Sequence, residues 1–219
     1  MPKPSHRDRI LQEGLKVVHA NGYANASVRD IVRAAGVPQG SFTNHFGSKE
    51  AFGLEVIDLY FANSVEVFQR TLRNDELPPL QRLRKYIDEG KNRLNKESMR
   101  TGCLFGNFTA EASEHSELIR LRLLEIFGEV RKAIAYCLRA AVKAGELSPS
   151  LDCEEMAGFI VSSLQGANLM AKAERSPEPV ERFKEILFAV ILKRIGSADD
   201  GAAAKPVAVC KASPSSSHG

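Results

Sequence analysis

Apolar side chains recur every three or four residues along almost the whole chain, and this spacing is typical of helices with one buried face. No segment has the strict alternation of apolar and polar residues that indicates a β-strand. The 219 residues are 43% hydrophobic, which is enough to form a buried core. We therefore expect an all-α protein with a small N-terminal domain and a larger helical domain.

Helix-ending residues and composition divide the chain into three parts. Residues 1–50 are expected to form a three-helix domain with a helix-turn-helix, and residues 51–195 a larger helical domain. Residues 196–219 are rich in Ala, Ser, Pro and Lys and have little apolar mass, so we expect a disordered tail. Helices are predicted over residues 5–21, 48–72, 80–95, 103–113, 118–144, 152–175 and 177–195, with two short helices flanking Gly36.

Charge and hydropathy limit the kinds of partner. The net charge is +3, and residues 1–50 hold seven Lys or Arg against four Asp or Glu, while the remainder holds 23 of each sign. This local basic excess suggests a polyanionic partner, although a solvated surface would also have it. No segment is apolar enough to cross a membrane, and the N-terminus does not resemble a signal peptide, so we expect a cytoplasmic protein without a membrane partner.

The cysteines are far apart in the sequence, at Cys103, Cys137, Cys153 and Cys210. They form no Cys-x-x-Cys pair and no Cys/His cluster of the kind that holds zinc, so we expect free thiols and no metal or other cofactor. Cys137 and Cys153 lie on apolar helical faces and are expected in the core or at an interface. Cys210 falls in the predicted tail.

Residues 27–50 have the pattern of a helix-turn-helix. Ser27 can cap a helix, Gly36 lets the chain reverse, and small residues before Gly36 allow two helices to cross closely. The side chains expected to face inward are Ile31, Val32, Ala35, Val37, Phe42 and Phe46. A solvated helical hairpin with a polar face is the alternative, but it would not require this whole pattern.

The second short helix is expected to expose a row of polar groups: Gln39, Gly40, Ser41, Thr43, Asn44 and His45. The two amides can make paired hydrogen bonds to adenine, and the two hydroxyls can bond a phosphate or touch a thymine methyl group. The glycine lets the backbone approach a duplex closely. Arg29, at the start of the preceding helix, could reach a guanine.

This region resembles the DNA-binding signature of the tetracycline-repressor (TetR) family over about residues 7–60. The resemblance rests on Gly22-Tyr23, on Ala-Ala-Gly-Val-Pro-x-Gly-Ser-Phe over residues 34–42 and on His-Phe-Gly-Ser-Lys-Glu-Ala-Phe over residues 45–52. It implies a DNA-binding regulator whose recognition helix begins near Gln39.

The resemblance also implies roles for single residues. It implies that Arg29 contacts a base and that His45 and Lys49 lie near the phosphate backbone. Thr43 departs from the pattern, because the family usually has Tyr at this position as a phosphate contact. The departure leaves the operator sequence and affinity open, not DNA binding itself.

Residues 100–111, Arg-Thr-Gly-Cys-Leu-Phe-Gly-Asn-Phe-Thr-Ala-Glu, resemble a subgroup related to N-ethylmaleimide-responsive and acrylate-responsive repressors. In that subgroup a Cys at the position of Cys103 is associated with the sensing of electrophiles. From the sequence itself, Cys103 stands at a predicted helix start with Arg100 nearby, and both features favour a reactive thiolate. The alternative is that Cys103 is a small hydrophobic side chain buried in the core.

The last two predicted helices have extensive apolar faces that a second copy could cover. Those faces consist of Met156, Phe159, Ile160, Leu164, Ala167, Phe183, Ile186, Leu187, Val190 and Ile191. Pairing of both helices with their two-fold mates would form a four-helix bundle, as the resemblance also implies. The alternative is that these faces cover the core of a single subunit. That core would include the helix at residues 118–144, whose inward face is predicted to consist of Leu121, Leu124, Phe127, Ala135, Leu138 and Val142.

These features predict a homodimeric repressor that leaves a palindromic operator when a small electrophile or another small-molecule inducer binds. The inducer cavity is expected among Tyr86, Phe105, Phe108 and Phe127. A thiol-dependent hydrolase or reductase is one alternative, but His115 is too far along the helix from Cys103 to act as its base, so we do not expect an enzyme. A DNA-binding activator or nucleoid-type protein without a ligand is the other.

Overall fold

The computed structural model describes residues 5–193, and this part of the chain is helical without a β-strand. The all-α prediction is confirmed. The helices are α1 His6–Asn21, α2 Val28–Ala35, α3 Gly40–His45, α4 Lys49–Arg70, α5 Pro79–Lys96, α6 Leu104–Ala112, α7 Glu117–Lys143, α8 Cys153–Glu174 and α9 Glu178–Ile186, and α9 continues as a π-helical turn over Leu187–Ile191. The predicted tail and Cys210 lie outside the described residues.

Capping side chains explain why several helices begin where they do. Ser5, Ser27, Ser48 and Ser116 each accept a hydrogen bond from the backbone N–H three residues later, and Asp152 accepts two such bonds at the start of α8. Each cap satisfies a donor that the helix leaves free and contributes about 1 kcal/mol.

The buried side chains form two clusters that meet along α4. The first joins α1, α2, α3 and the N-terminal half of α4 to α6 and the first turns of α7. The second joins the end of α4 to α5, α7, α8 and α9. The N-terminal helices are therefore packed directly against part of the larger helical region, and the domain boundary expected at residue 50 stays a prediction.

One predicted face of α7 is wrong at its N-terminal end. Leu121 and Leu124 are 44% and 56% exposed, whereas Ile119, Leu123 and Ile126 are buried against α4 and α6. Both stripes are apolar at helical spacing, so periodicity alone could not decide which of them faces the core.

The predicted dimer faces also need a correction. Ile160 and Leu187 are completely buried within the subunit, so they cannot belong to an external face. Phe159, Ile186 and Val190 remain 46%, 47% and 48% exposed.

No helix within residues 5–193 combines the length and apolar character needed to cross a membrane.

Candidate functional site

The turn between α2 and α3 is held by its own backbone and by α1. Gly36 has a left-handed backbone (φ 61°), which a residue with a Cβ adopts only with strain. The guanidinium of Arg9 in α1 donates to the carbonyl oxygen of Ala35 at 2.5 Å. The turn therefore has a fixed geometry, as the sequence pattern predicted for a helix-turn-helix.

An aromatic cluster holds α3 on the rest of the N-terminal domain. The rings of Phe42, Phe46 and Phe52 are packed with centroids 5.2 to 5.3 Å apart, and all three side chains are at most 2% exposed. This anchor leaves the other face of α3 free. On that face, or next to it, the exposed residues are Arg29, Gln39, Gly40, Thr43, Asn44 and His45.

The predicted exposure of Ser41 is wrong, whereas the DNA contact of Lys49 stays a prediction. Ser41 is buried, not exposed, because it lies on the side of α3 that Phe42 anchors to the core. Lys49 donates to the carbonyl oxygen of Ala24 at 3.2 Å and lies over the ring of Tyr23. Burial lowers the pKa of Lys49, so in this conformation the ammonium group is part of the domain's own packing.

Polar and aromatic contacts connect the N-terminal domain to α6 and α7. Glu111 accepts a hydrogen bond from the backbone N–H of Ala24 at 3.0 Å, and the ring of Tyr23 packs on Phe108 with centroids 4.8 Å apart. Ser116 donates to Glu50 at 2.5 Å. The sequence does not predict these contacts, because they join residues that lie far apart in the chain.

A cavity of about 350 Å³ lies between α4, α5, α6, α7 and α8. Three of the aromatic residues predicted for it, Tyr86, Phe105 and Phe127, line the cavity, while Phe108 belongs to the buried core of the N-terminal cluster. Cys103 is half-buried and also lines the cavity. Cys103 also packs against the first buried cluster, so its role as a sensor stays a prediction.

Cys103 occupies the N-cap position of α6, which confirms the predicted helix start. Tyr86 lines the same cavity as Cys103, and the ring of Tyr60 packs edge-on against Phe105, two residues after the cysteine. Burial raises the pKa of Tyr60 and of Tyr86, and the neighbouring Cys103 raises both further. Both tyrosines therefore stay protonated at neutral pH.

The other two described cysteines have different surroundings. Cys137 is fully buried, and its thiol contacts the carbonyl oxygen of Pro79 at 3.0 Å. Burial raises the pKa of Cys137 to about 12. Cys153 is half-buried, and burial raises its pKa too.

The N-terminal and C-terminal parts of the chain both match known protein families. Residues 10–56 match the family described as bacterial regulatory proteins, tetR family, and residues 79–187 match the tetracyclin repressor-like C-terminal domain. The HTH-type transcriptional repressor DhaR of Mycobacterium sp. (strain GP1) is 35% identical over 192 residues, which cover 88% of this chain and 95% of that protein.

Two solved structures have the same architecture. A regulatory protein TetR from Rhodobacter sphaeroides superposes with a TM-score of 0.79 and 29% identity, over 82% of this chain and 95% of the other. The reduced form of E. coli NemR superposes with a TM-score of 0.77 and 26% identity, over 84% of this chain and 96% of the other. The chain therefore belongs to the tetR family of bacterial regulatory proteins and is a helix-turn-helix transcriptional regulator.

Proposed function

We propose that this protein is a homodimeric repressor that leaves its operator when a small electrophile modifies Cys103. The observation that supports this most is the position of Cys103, which lines a cavity and begins the helix that packs against the DNA-binding domain. Modification of this residue therefore changes the N-cap residue of a helix that packs directly against the DNA-binding domain. Repression agrees with the name of the relative DhaR, a transcriptional repressor.

The exposed face of α3 suits the major groove of DNA. Asn44 and Gln39 present amides that can read adenine, and Arg29 at the start of α2 can reach a guanine or a phosphate. Gly40 has open space around its Cα, so its backbone can approach the duplex closely. Thr43 and His45 complete the polar face, with the Thr43 hydroxyl bonded to the carbonyl oxygen of Gly40 at 3.1 Å.

A second copy of the chain is the proposed partner of α8 and α9. Large apolar side chains remain exposed on both elements: Phe159, Leu169, Met170, Ile186 and Val190. Exposed apolar patches of this kind mark protein interfaces, and pairing the two helices with their mates would bury them in a four-helix bundle. A two-fold dimer presents two copies of α3 and therefore requires a palindromic operator.

The chemistry that we propose at Cys103 is addition of the thiol to an activated double bond. The sulfur bonds to the β-carbon, the electrons of the double bond move toward the adjoining carbonyl group, and the proton of the thiol ends on the α-carbon. The protonated hydroxyl group of Tyr86, which lines the same cavity as Cys103, is a donor that can stabilise the negative charge developing on the carbonyl oxygen.

The charges around the cavity favour an inducer with an acceptor oxygen or an anionic group. Among the cationic side chains that line it, Arg70 pairs with Glu89 and Lys91 pairs with Glu181. Arg93 and Lys96 also line the cavity, and neither has an acidic partner within 4.0 Å among the described residues. The guanidinium of Arg93 lies 4.8 Å from the ring centroid of Tyr60.

Footprinting with and without an electrophile tests the proposal. We expect one palindromic protected site upstream of the protein's own gene or a neighbouring gene, and we expect protection to disappear after N-ethylmaleimide treatment. Broad protection without sequence preference would instead support a nucleoid-type protein. Protection that survives complete modification of Cys103 would contradict electrophile sensing and leave a noncovalent ligand of the cavity as the inducer.

A further inference from the structure

The peptide segment immediately before Cys103 is held by the DNA-binding domain through one side chain. His19 lies in the last turn of α1, and its Nε2 atom is 2.9 Å from the carbonyl oxygen of Gly102. A carbonyl oxygen only accepts hydrogen bonds, so Nε2 must have the proton. Burial lowers the pKa of His19, and the bond to Gly102 only partly opposes this, so the neutral tautomer protonated at Nε2 is the form that donates.

We infer that the hydrogen bond between His19 and Gly102 is the link through which modification of Cys103 reaches the helix-turn-helix. His19 is thus a positioning residue, which touches neither DNA nor inducer. The inference depends on the proposed function, because it requires that an adduct on Cys103 weakens operator binding.

The segment that His19 holds has little freedom to absorb a displacement. Ser98 and Met99 have left-handed backbones (φ 50° and 57°), and Gly102 is left-handed as well (φ 69°). Left-handed conformations are unfavourable for residues with a side chain, so surrounding contacts must hold them. Met99 supplies such a contact, since it is only 1% exposed.

The opposite side of the same segment is attached to α8. Asn107 donates to the carbonyl oxygen of Thr101 at 2.8 Å, and Lys172 of α8 donates to the side-chain oxygen of Asn107 at 3.2 Å. The Lys172 side chain also lies against Gly102, since a Cβ added to this glycine would be 3.0 Å from Cδ of Lys172. The segment is therefore held between the proposed dimer helix and α1.

The geometry gives an adduct on Cys103 a defined effect. Cys103 directly follows Gly102 and lines the cavity, so a group bonded to its sulfur lies next to the peptide that His19 holds. Packed interiors do not deform continuously, so displacement of this peptide is passed through the intact hydrogen bond to His19 and α1 and does not spread over many contacts. Aromatic contacts join the same two regions. The ring of His19 packs edge-on against Tyr60, and the ring of Tyr60 packs edge-on against Phe105 of α6.

The other contacts between the two regions lie farther along the chain from the cysteine. Glu111 and Ser116 contact the DNA-binding domain from the end of α6 and the start of α7. They are more than one helical turn beyond Cys103, so they serve as internal controls. Replacement of the Glu111 carboxylate by an amide removes its charge and weakens the bond from Ala24, while the path from Cys103 is left unchanged.

The test compares His19→Leu with His19→Gln in the full-length protein. Leu lacks a donor, whereas the amide of Gln can place an N–H near the position of Nε2. Three quantities are measured: operator affinity before and after N-ethylmaleimide treatment, occupancy of Cys103 by mass spectrometry, and the melting temperature. Glu111→Gln is the control for a different contact between the regions.

We expect His19→Leu to be modified at Cys103 as fully as the wild type and to bind operator before treatment. The loss of affinity on modification should shrink about fivefold or more relative to wild type, within the range of measured allosteric couplings. His19→Gln and Glu111→Gln should retain the full loss. If His19→Leu does not fold, His19→Asn replaces it, because its amide is too short to reach Gly102.

Two outcomes separate failure of the link from failure of the proposed function. If the wild type releases operator and His19→Leu or His19→Asn releases it equally well at equal occupancy of Cys103, His19 does not transmit the signal. If the fully modified wild type stays bound, the electrophile response itself is rejected.

Discussion

At the level of single residues, the described cysteines differ in burial, and we expect their reactivity to differ with it. Burial raises the pKa of Cys137 and of Cys153, which lowers the fraction of the reactive thiolate form. We therefore predict that N-ethylmaleimide modifies Cys103 first, Cys153 more slowly and Cys137 only after unfolding. Peptide mass spectrometry over a time course measures the order. Early modification of Cys137 in the folded protein would show that its surroundings are more open than the structure indicates.

A second residue-scale prediction concerns base recognition by α3. Asn44→Ala and Gln39→Ala should each weaken operator binding by about 1 to 3 kcal/mol if they make paired contacts with bases, because such contacts discriminate by that amount. Helicity should not change, since both side chains are exposed. Asn63→Ala, an exposed amide on α4, is the matched control and should bind as the wild type. Equal affinity of all the variants, measured by fluorescence anisotropy, would remove the proposed base contacts.

The sequence predicts the structural role of a residue when that role depends on its near neighbours in the chain. Ser27 as a cap, Gly36 as the turn and Cys103 at a helix start were predicted because neighbours within one helical turn determine them. Ser41 and Lys49 were less predictable. Their surroundings depend on how α3 rotates against Phe42 and on the approach of Ala24 and Tyr23, and the local sequence specifies neither.

At the level of helices, the crossing of α1 and α4 depends on a glycine. A Cβ added to Gly14 would lie 2.4 Å from Cζ of Phe52, a distance that requires the two helices to separate. We predict that Gly14→Ala destabilises the protein by about 1 to 3 kcal/mol, as overpacking of a core does. Urea denaturation measures the change.

Gly128 provides the contrast within α7. A Cβ at this position meets no atom within 4 Å, and the residue is helical, so Gly128→Ala should stabilise the protein by about 0.5 to 1 kcal/mol. A destabilised Gly128→Ala protein would mean that a neighbour, such as a second subunit, occupies this space.

The positions of the helices could be predicted from capping residues and apolar periodicity. The face of α7 that is buried could not. The end of α1 at Gly22 and the start of α4 after Ser48 were both predicted from capping chemistry. The stripe of Leu121 and Leu124 was assigned inward because it is apolar, whereas the structure buries the stripe of Ile119 and Leu123. The choice depends on tertiary contacts with α4 and α6, which a single helix does not reveal.

At the level of the whole molecule, the exposed faces of α8 and α9 predict a dimer. Sedimentation should give about twice the chain mass of 24.0 kDa. Val190→Glu should dissociate the dimer or unfold the protein, because an unpaired charge buried at an interface costs about 3 to 5 kcal/mol. Val65→Glu, at an exposed apolar residue of α4, is the control and should stay dimeric. A stable wild-type monomer at micromolar concentration would contradict the proposed assembly.

The protein's class could be predicted from its sequence because the helix-turn-helix signature is local and continuous. The interface between the DNA-binding helices and α6 could not, since it joins residues that are far apart in sequence, such as His19 with Gly102 and Ala24 with Glu111. The cavity was predicted only in part, because its aromatic lining follows a pattern that ordinary core residues share.

The central claim is that modification of Cys103 releases the operator, and one titration tests it most directly. Operator-bound wild type and Cys103→Ser are treated with increasing N-ethylmaleimide, and the fraction of DNA released is plotted against the occupancy of each cysteine. We predict that release of the wild type follows the occupancy of Cys103 and that Cys103→Ser remains bound. Equal release of DNA by Cys103→Ser and the wild type would contradict the account.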